Sequence, residues 1–499
     1  MNIMIKKYLI LLNALVLFFG CQDYLDIKPL GNAIEGDIKS GSLEGQTFGL
    51  YANFRGNGNN DAYGGMTGLP LAFFSSIRSD DAIKGYDESN TRAYKSSGDD
   101  YQYDANDTWL LQQYWNDHYQ FIVGCNQLIY FADSLKLTDQ PSQINVGEAK
   151  FFRAYAYFDL VRTFGEVPLN LTVSSSFGSG NIPKSTVVAV YNQIDADLEF
   201  ACANLPNKSY WGTKYPGRLT VGAAKTLSAK TKLYRQDWAG TLAKCEDVIN
   251  SGEYSLYSSY ADMFTESGEL CSESILEVQN YVNDNGSVAV FGSFTERTGI
   301  RGTGIFDQGW GWNTPSQALV NAYETGDPRK EGTILFRGST DGYGNTLPES
   351  LQLPYWNRKT YGDPARAKKT NYRKAIWMNV RILRYADVLL MAAEAANELG
   401  NSTKALGYLE QVRARVRGGN ATILPSVTTT VQSELRDALK HERRVEFGME
   451  FERFYDLVRW GDALQVLGPL GYTNRCRYYP IPNPVIQQSN GIIKQNPEW

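Results

Sequence analysis

The sequence predicts a mainly α-helical protein in which tetratricopeptide-like helix pairs form a scaffold for a loop-rich, aromatic, irregular ligand-binding region. Three observations predict this. Apolar residues recur at steps of three and four over several long segments. Short helical segments come in pairs with small residues at their contacts. Between the pairs lie stretches too rich in glycine to be mostly helix, since each glycine lowers helix stability by about 1 kcal/mol relative to alanine.

The chain has 499 residues, 42% of them hydrophobic, enough for a large core. Its net charge is −5, with 49 basic and 54 acidic residues, so it has no basic field to gather nucleic acid. Aromatic residues make up 13%. His118 and His441 are its two histidines, which leaves little material for a histidine-rich metal site or a Ser–His–Asp catalyst.

Residues 1–20 read as a lipoprotein signal peptide. Lys6 and Lys7 precede an apolar run from Tyr8 to Phe19, too short to span a bilayer. Gly20-Cys21 follows, a small residue before a cysteine, in the manner of a bacterial lipobox. An ordinary signal peptide cleaved elsewhere is the other reading. Removing residues 1–20 removes two lysines and moves the side-chain charge from −5 to −7. Acylation of Cys21 would anchor the chain to a membrane. Of the other cysteines, Cys125, Cys202 and Cys245 fall on helical apolar positions and read as small core residues.

Residues 21–499 read as one domain, with scaffold at about 40–54, 108–254 and 381–467 and binding regions at about 55–107 and 255–375. The segment 108–134 is amphipathic, with Leu111, Trp115, His118, Ile122, Cys125 and Ile129 in line and Asn106 or Asp107 to cap it. His118 therefore reads as a buried, hydrogen-bonded histidine. Residues 147–164 are apolar on more than one face and should pack between neighbours, ending at Gly165. A helix over 187–203 follows, then pairs at 220–235 with 238–250, 381–399 with 402–417, and 431–447 with 449–466. The pairs are not tandem at one period, which argues against a simple solenoid.

Catalytic signatures are missing. The chain contains no G-x-S-x-G, H-E-x-x-H, G-x-x-x-x-G-K-[ST] or G-x-G-x-x-G. Acid pairs such as Asp80-Asp81 and Asp99-Asp100 read as solvated loop acids or caps rather than a glycosidase couple. A structural calcium ion finds no EF-hand spacing, and no cofactor is expected. The charge-dense run 440–460 mixes Glu442, Glu446, Glu450 and Glu452 with Arg443, Arg444, Arg453 and Arg459. These charges, and His441 with them, read as pairing with each other at helical spacing while the aromatics pack.

Several segments together resemble one family: CQDYLDIKP (21–29), GEAKFFRAYAYFDLVRTFGEVPL (147–169), LRYADVLLMAAEA (383–395), ERRVEFGMEFERFYDLVRWGDAL (442–464) and YYPIPNPVI (478–486), with Gln495-Asn496-Pro497 at the end. The chain is similar to the SusD/RagB family, nutrient-binding outer-membrane lipoproteins of Bacteroidetes. The resemblance implies a lipid anchor at Cys21 and an outer-membrane location facing the cell exterior. It implies a SusC-like TonB-dependent transporter as partner and a binding rather than an enzymatic role. It implies capture of oligo- or polysaccharide, with oligopeptide capture, as in the RagB-like branch, as the alternative. A glycoside hydrolase using loop acids and a helical-repeat adaptor without a small ligand are the remaining readings.

Sugar faces stack on flat aromatics while acids, amides and arginines take the hydroxyls. In the family the resemblance implies, ligand contacts come mostly from the insert and from the loops before the long helix. The candidate platform is Trp310 with Trp312, which would share a side if the strand is extended, with Arg301 and Asn313 as polar neighbours. Asp80, Asp81 and Tyr86 come from RSDDAIKGYDES (78–89), and Trp356 and Tyr361 are further candidates.

Overall fold

The computed structural model describes residues 42–56, 65–85, 98–173, 181–370 and 376–499. Residues 1–20, expected to be a signal peptide, Cys21 and Tyr86 lie outside the described residues.

Ten helices build the scaffold. The first six are α1 (Leu43–Arg55), α2 (Leu111–Ser134), α3 (Gln140–Phe164), α4 (Val187–Asn204), α5 (Val221–Leu233) and α6 (Trp238–Ile249). After the insert come α7 (Tyr385–Glu398), α8 (Ser402–Arg417), α9 (Gln432–Glu446) and α10 (Arg453–Trp460). Each packs on the next along α2, α3, α4, α5, α6, α7 and α8. The contact of α6 with α7 is the informative one. It joins helices 136 positions apart in sequence into one stack, so the long insert loops out while the repeat continues in space.

α3 is buried on nearly every face, as its apolar rows require. It starts earlier than the apolar pattern suggests because Asp139 caps it, accepting the Ser142 N–H at 3.0 Å, and Pro141 suits its first turn. Gly165 ends it at φ +75°. The cap expected at 106–107 sits one turn upstream of α2, where Asp107 accepts from the Trp109 and Leu110 N–H groups. His118 is fully buried, with Nδ1 at 2.7 Å from the Tyr114 carbonyl and Nε2 at 3.4 Å from Asp159. Cys125 and Cys245 are buried and Cys202 half-buried; among the described residues no cysteine is in a disulfide.

Two expected helices change. Residues 380–384 are a strand, not the first turn of α7. Val380–Arg384 pairs antiparallel with Ser274–Val278 through a bulge, since the run V-R-I-L-R alternates in a way a sheet edge accepts. The helix expected over 449–466 shortens to α10 and a separate turn at Ala463–Leu467. Met449 and Phe451 adopt left-handed backbone, at φ +70° and +64°, which ends helical continuity before residue 453.

Beside the main core, the insert carries its own small apolar clusters. One gathers Ile300, Leu335, Leu347, Leu351, Trp356 and Tyr361 beneath short antiparallel ladders. Among the described residues no helix is long and apolar enough to cross a membrane.

The acids of 440–460 and Arg443 are buried, and the charges of this run pair mostly across the fold rather than along their own helix. Glu446 takes Arg384 at 2.6 Å, Arg415 at 2.5 Å and Arg329 at 3.1 Å. Glu442 takes Arg329 and Arg413, and Glu450 takes Lys359 and Arg384. Arg443 reaches Asp387, Asp456 and Glu452. Burial pushes the Glu446 carboxyl up, and the three surrounding guanidiniums outweigh it, leaving the group well below the usual carboxylate range. The helical-spacing account thus gives way to a long-range one: the network bolts the insert and α7 to α9. His441 is half exposed, its Nε2 3.5 Å from Glu324.

Candidate binding face around Trp310

A two-stranded ladder assembles the face. β1 (Ala82–Gly85) runs antiparallel to β2 (Trp312–Pro315), with Ala82 opposite Pro315, Ile83 opposite Thr314 and Gly85 opposite Trp312. Residues 78–85 and 301–313, distant in sequence, thereby meet.

Trp310 stands on a hairpin-like loop folded against a short helix, Phe294–Thr298. The Trp310 N–H donates to the Glu296 carbonyl at 2.9 Å, the Gly311 N–H to Gly299 at 2.9 Å, and the Gln308 N–H to Ile300 at 2.9 Å. Glycine is required at this closure: a Cβ on Gly309 would lie 2.6 Å from the Gly299 Cα. The Gln308 side chain exchanges two hydrogen bonds with the Gly362 backbone, at 2.9 and 3.1 Å, which stiffens the loop from the far side.

Trp310 is 37% exposed. Its Nε1–H donates to Glu296 Oε1 at 3.1 Å. The guanidiniums of Arg297 and Arg301 each lie 5.5 Å from its centroid, within cation–π range. A partly open indole rimmed by one carboxylate and two guanidiniums offers an apolar face beside both acceptors and donors for hydroxyls.

Trp312 does not share this side. Gly311 has φ +72°, so the chain bends between the two tryptophans and the two-residue alternation of an extended strand is broken. Trp312 is 8% exposed, packed near Phe73 and Trp109 with the Lys84 ammonium 5.2 Å from its ring. Asn313 is fully buried in left-handed backbone, and neither side-chain amide atom has a hydrogen-bond partner among the described residues.

The other candidates divide similarly. Asp80 accepts from Arg453 and Arg444 at 2.8 Å each, and Asp81 from Arg444 at 2.6 Å. Burial raises the Asp80 carboxyl, but the two arginines outweigh it and hold it below the ordinary value. These acids anchor the β1 loop to the scaffold, so they are structural ion pairs rather than hydroxyl acceptors. Trp356 is 0% exposed and donates to the Leu353 carbonyl at 3.1 Å; it is core because it fills the centre of the insert cluster. Tyr361 is buried and donates to Asp341 Oδ2 at 2.9 Å. It borders a polar cleft of about 570 Å³ that also includes Tyr343, Arg358, Asp262 and Asp363.

Sequence reasoning missed Glu296 and Arg297. Their signal was present: Arg297 and Arg301 are four apart just before a glycine-rich tryptophan loop, a spacing that delivers two cations to one ring.

Comparison with known proteins agrees with this architecture. Residues 272–474 match the family model described as "SusD family", and residues 72–233 match one described as "Starch-binding associating with outer membrane". A curated relative, SusD-like protein P2 of Formosa agariphila, is 27% identical over 99% of this chain and 100% of its own. A solved "Laminarin binding SusD-like protein" superposes with a TM-score of 0.72 at 27% identity, over 92% of this chain and 99% of that one. Surface glycan-binding protein A from Bacteroides fluxus gives a TM-score of 0.74 at 26% identity, over 94% of this chain and 100% of that one.

Proposed function

Starting from the premise that the chain belongs to the SusD/RagB family, we propose that it is a non-enzymatic, cell-surface glycan-binding lipoprotein. In this reading Cys21 carries the lipid anchor in the outer membrane. The protein captures oligo- or polysaccharide at the Trp310 face and delivers it to a SusC-like TonB-dependent transporter. The observation that carries the binding reading is Trp310 itself, exposed on a rigid loop between Glu296, Arg297 and Arg301. A rigid ring loses little freedom when a sugar stacks on it, and its charged rim fixes orientation. Two relatives, a laminarin-binding SusD-like protein and a surface glycan-binding protein, favour a saccharide over a peptide.

The test is calorimetric titration of the purified protein with a glycan panel beginning with laminarin oligosaccharides, and with mixed oligopeptides. Binding of a glycan that Trp310→Ala weakens by about 1–2 kcal/mol, with unchanged helix content, is the expected result. Peptide binding alone would replace the glycan reading. Cleavage of a bound glycan during prolonged incubation would end the non-enzymatic one.

A further inference from the structure

The polar cleft of about 570 Å³ bordered by Tyr361 lies in the insert, between the turns at 261–267, the loop 341–343 and the segment 358–363. Its size is that of a small-molecule site. Neither Trp310 nor its rim of Glu296, Arg297 and Arg301 lines it. The two places are nevertheless fixed to each other, because Gly362, between the lining residues Tyr361 and Asp363, holds the Gln308 side chain.

The run D-G-Y-G-N (341–345) builds one wall. Gly342 and Gly344 adopt φ +87° and +90°, which sets Tyr343 at the tip of a tight turn. Asp341 locks that turn. Its carboxylate accepts the Tyr343 N–H at 2.7 Å, the Asn345 N–H at 3.0 Å, the Asn345 amide at 2.8 Å and the Tyr361 hydroxyl at 2.9 Å. A bridge between Thr340 and Thr346 closes the base. Tyr343 is therefore a half-buried ring on a stiff support, 6.0 Å from the Tyr361 ring. The charged groups around its hydroxyl are Asp363, Arg358, Asp341 and Asp262.

Three of these four have capacity left. The Arg358 guanidinium and the Asp262 carboxylate make no hydrogen bond or ion pair among the described residues, and both reach the cleft surface, Asp262 exposed and Arg358 half-buried. Asp363, also half-buried, uses one oxygen to accept the Ala365 N–H at 2.8 Å. Opposite charges that share a cleft without pairing leave space between them. Glycine at 342 preserves that space, since a Cβ there would lie 2.6 Å from Arg358 Nη2. Arginine only donates and a carboxylate only accepts, whereas a vicinal diol does both and can bridge them while its C–H face lies on the tyrosine. Glu266 is taken by Arg366 and Asp341 by its turn, so one free cation faces two acids. An anionic ligand would meet a surplus of like charge.

We propose that this cleft is a second glycan site, separate from the Trp310 face, that takes a neutral saccharide unit: Tyr343 stacks on the sugar ring, Arg358 donates to its hydroxyls, and Asp262 and Asp363 accept from them. The saccharide half of this assignment rests on the function proposed above; the second site rests on the cleft itself.

Hydrogen–deuterium exchange of the purified protein, titrated with laminarihexaose, cellohexaose and maltohexaose, tests it segment by segment. At least one of these sugars should slow exchange in 261–267 and 341–345 as well as in 296–312. Arg358→Ala, which breaks no hydrogen bond or ion pair of the described fold, and Tyr343→Ala should each raise the concentration that protects 261–267 about three- to tenfold. Trp310→Ala should raise the concentration that protects 296–312 and spare 261–267. The inference falls if both cleft variants are protected there like the wild type, or if Trp310→Ala removes both protections together. Protection of 296–312 alone would sink this inference and leave the proposed function standing. Protection of neither segment would take the glycan reading down with it. Hexagalacturonate, an acidic chain, protecting the cleft as well as the neutral sugars do would overturn the neutral assignment.

Discussion

Gly85 sits opposite Trp312 in the β1–β2 ladder, so close to the bend that a Cβ added to it would lie 2.1 Å from the Gly311 carbonyl oxygen. Gly85 also has φ +93°, a conformation L side chains rarely adopt. The ladder joins the loop carrying Asp80 and Asp81 to the loop carrying Trp310. Gly85→Ala should therefore act on both counts, strain and collision. We expect a loss of about 1–3 kcal/mol in stability and weakened glycan binding, measured by denaturant unfolding and calorimetry. Wild-type stability and affinity in the variant would show that the ladder does not position the face.

Trp312 and Trp310 should separate cleanly under mutation. Trp312 is packed in the main core, so Trp312→Ala should cost about 3–5 kcal/mol of stability. Trp310→Ala removes a partly exposed ring and should leave the unfolding midpoint nearly unchanged. Thermal unfolding of both variants decides the matter, and a larger loss for Trp310→Ala would reverse the assignment of platform and core.

The separation also shows where sequence reading succeeds. Helix periodicity exposed most of the scaffold because burial along α2 or α4 repeats with the helix itself. The insert was visible as a loop-rich, aromatic region because glycine and tryptophan density does not depend on tertiary contacts. Which ring faces water does depend on them: one positive φ at Gly311 sends Trp312 inward, and neighbouring residues carry no trace of that angle. Asp80 and Asp81 failed as site residues for a related reason. Their partners, Arg444 and Arg453, lie more than 360 positions away, beyond any local pattern. The same distance hid the true pairing of the 440–460 charges.

Arg384 is the hub of that pairing. Its buried guanidinium contacts Glu273, Glu446 and Glu450, which come from the turn before a strand, from α9 and from the turn after that helix. Arg384→Met should destabilise the protein by about 3–5 kcal/mol, because it leaves buried carboxylates short of a counter-charge. Adding Glu273→Gln to that variant should recover part of the loss, since it removes one of the carboxylates left short of charge while Arg415 keeps Glu446 as its partner. A double-mutant cycle in denaturant measures this, and strict additivity would show that Arg384 and Glu273 are not coupled.

Glu269 should make stability fall as pH rises through neutrality. Burial pushes its carboxyl from the ordinary 4.5 up to about 8, against the pull of Arg381 and with Glu277 adding to the rise. The folded chain then keeps a proton that the unfolded chain releases. Between these two values the folded state binds more protons, so unfolding free energy declines with increasing pH, by at most about 1.4 kcal/mol per unit from this group. The contribution is complete below the lower value and gone above the upper one. Glu269→Gln deletes the titration without deleting the size or polarity of the side chain, and its amide oxygen can still accept the Asn379 N–H that Glu269 Oε1 takes at 2.8 Å. Denaturant midpoints at about pH 5, 6.5 and 8 should show the wild type losing stability relative to the variant as pH increases. Parallel curves for the two proteins would mean that Glu269 ionises at its ordinary value in the fold.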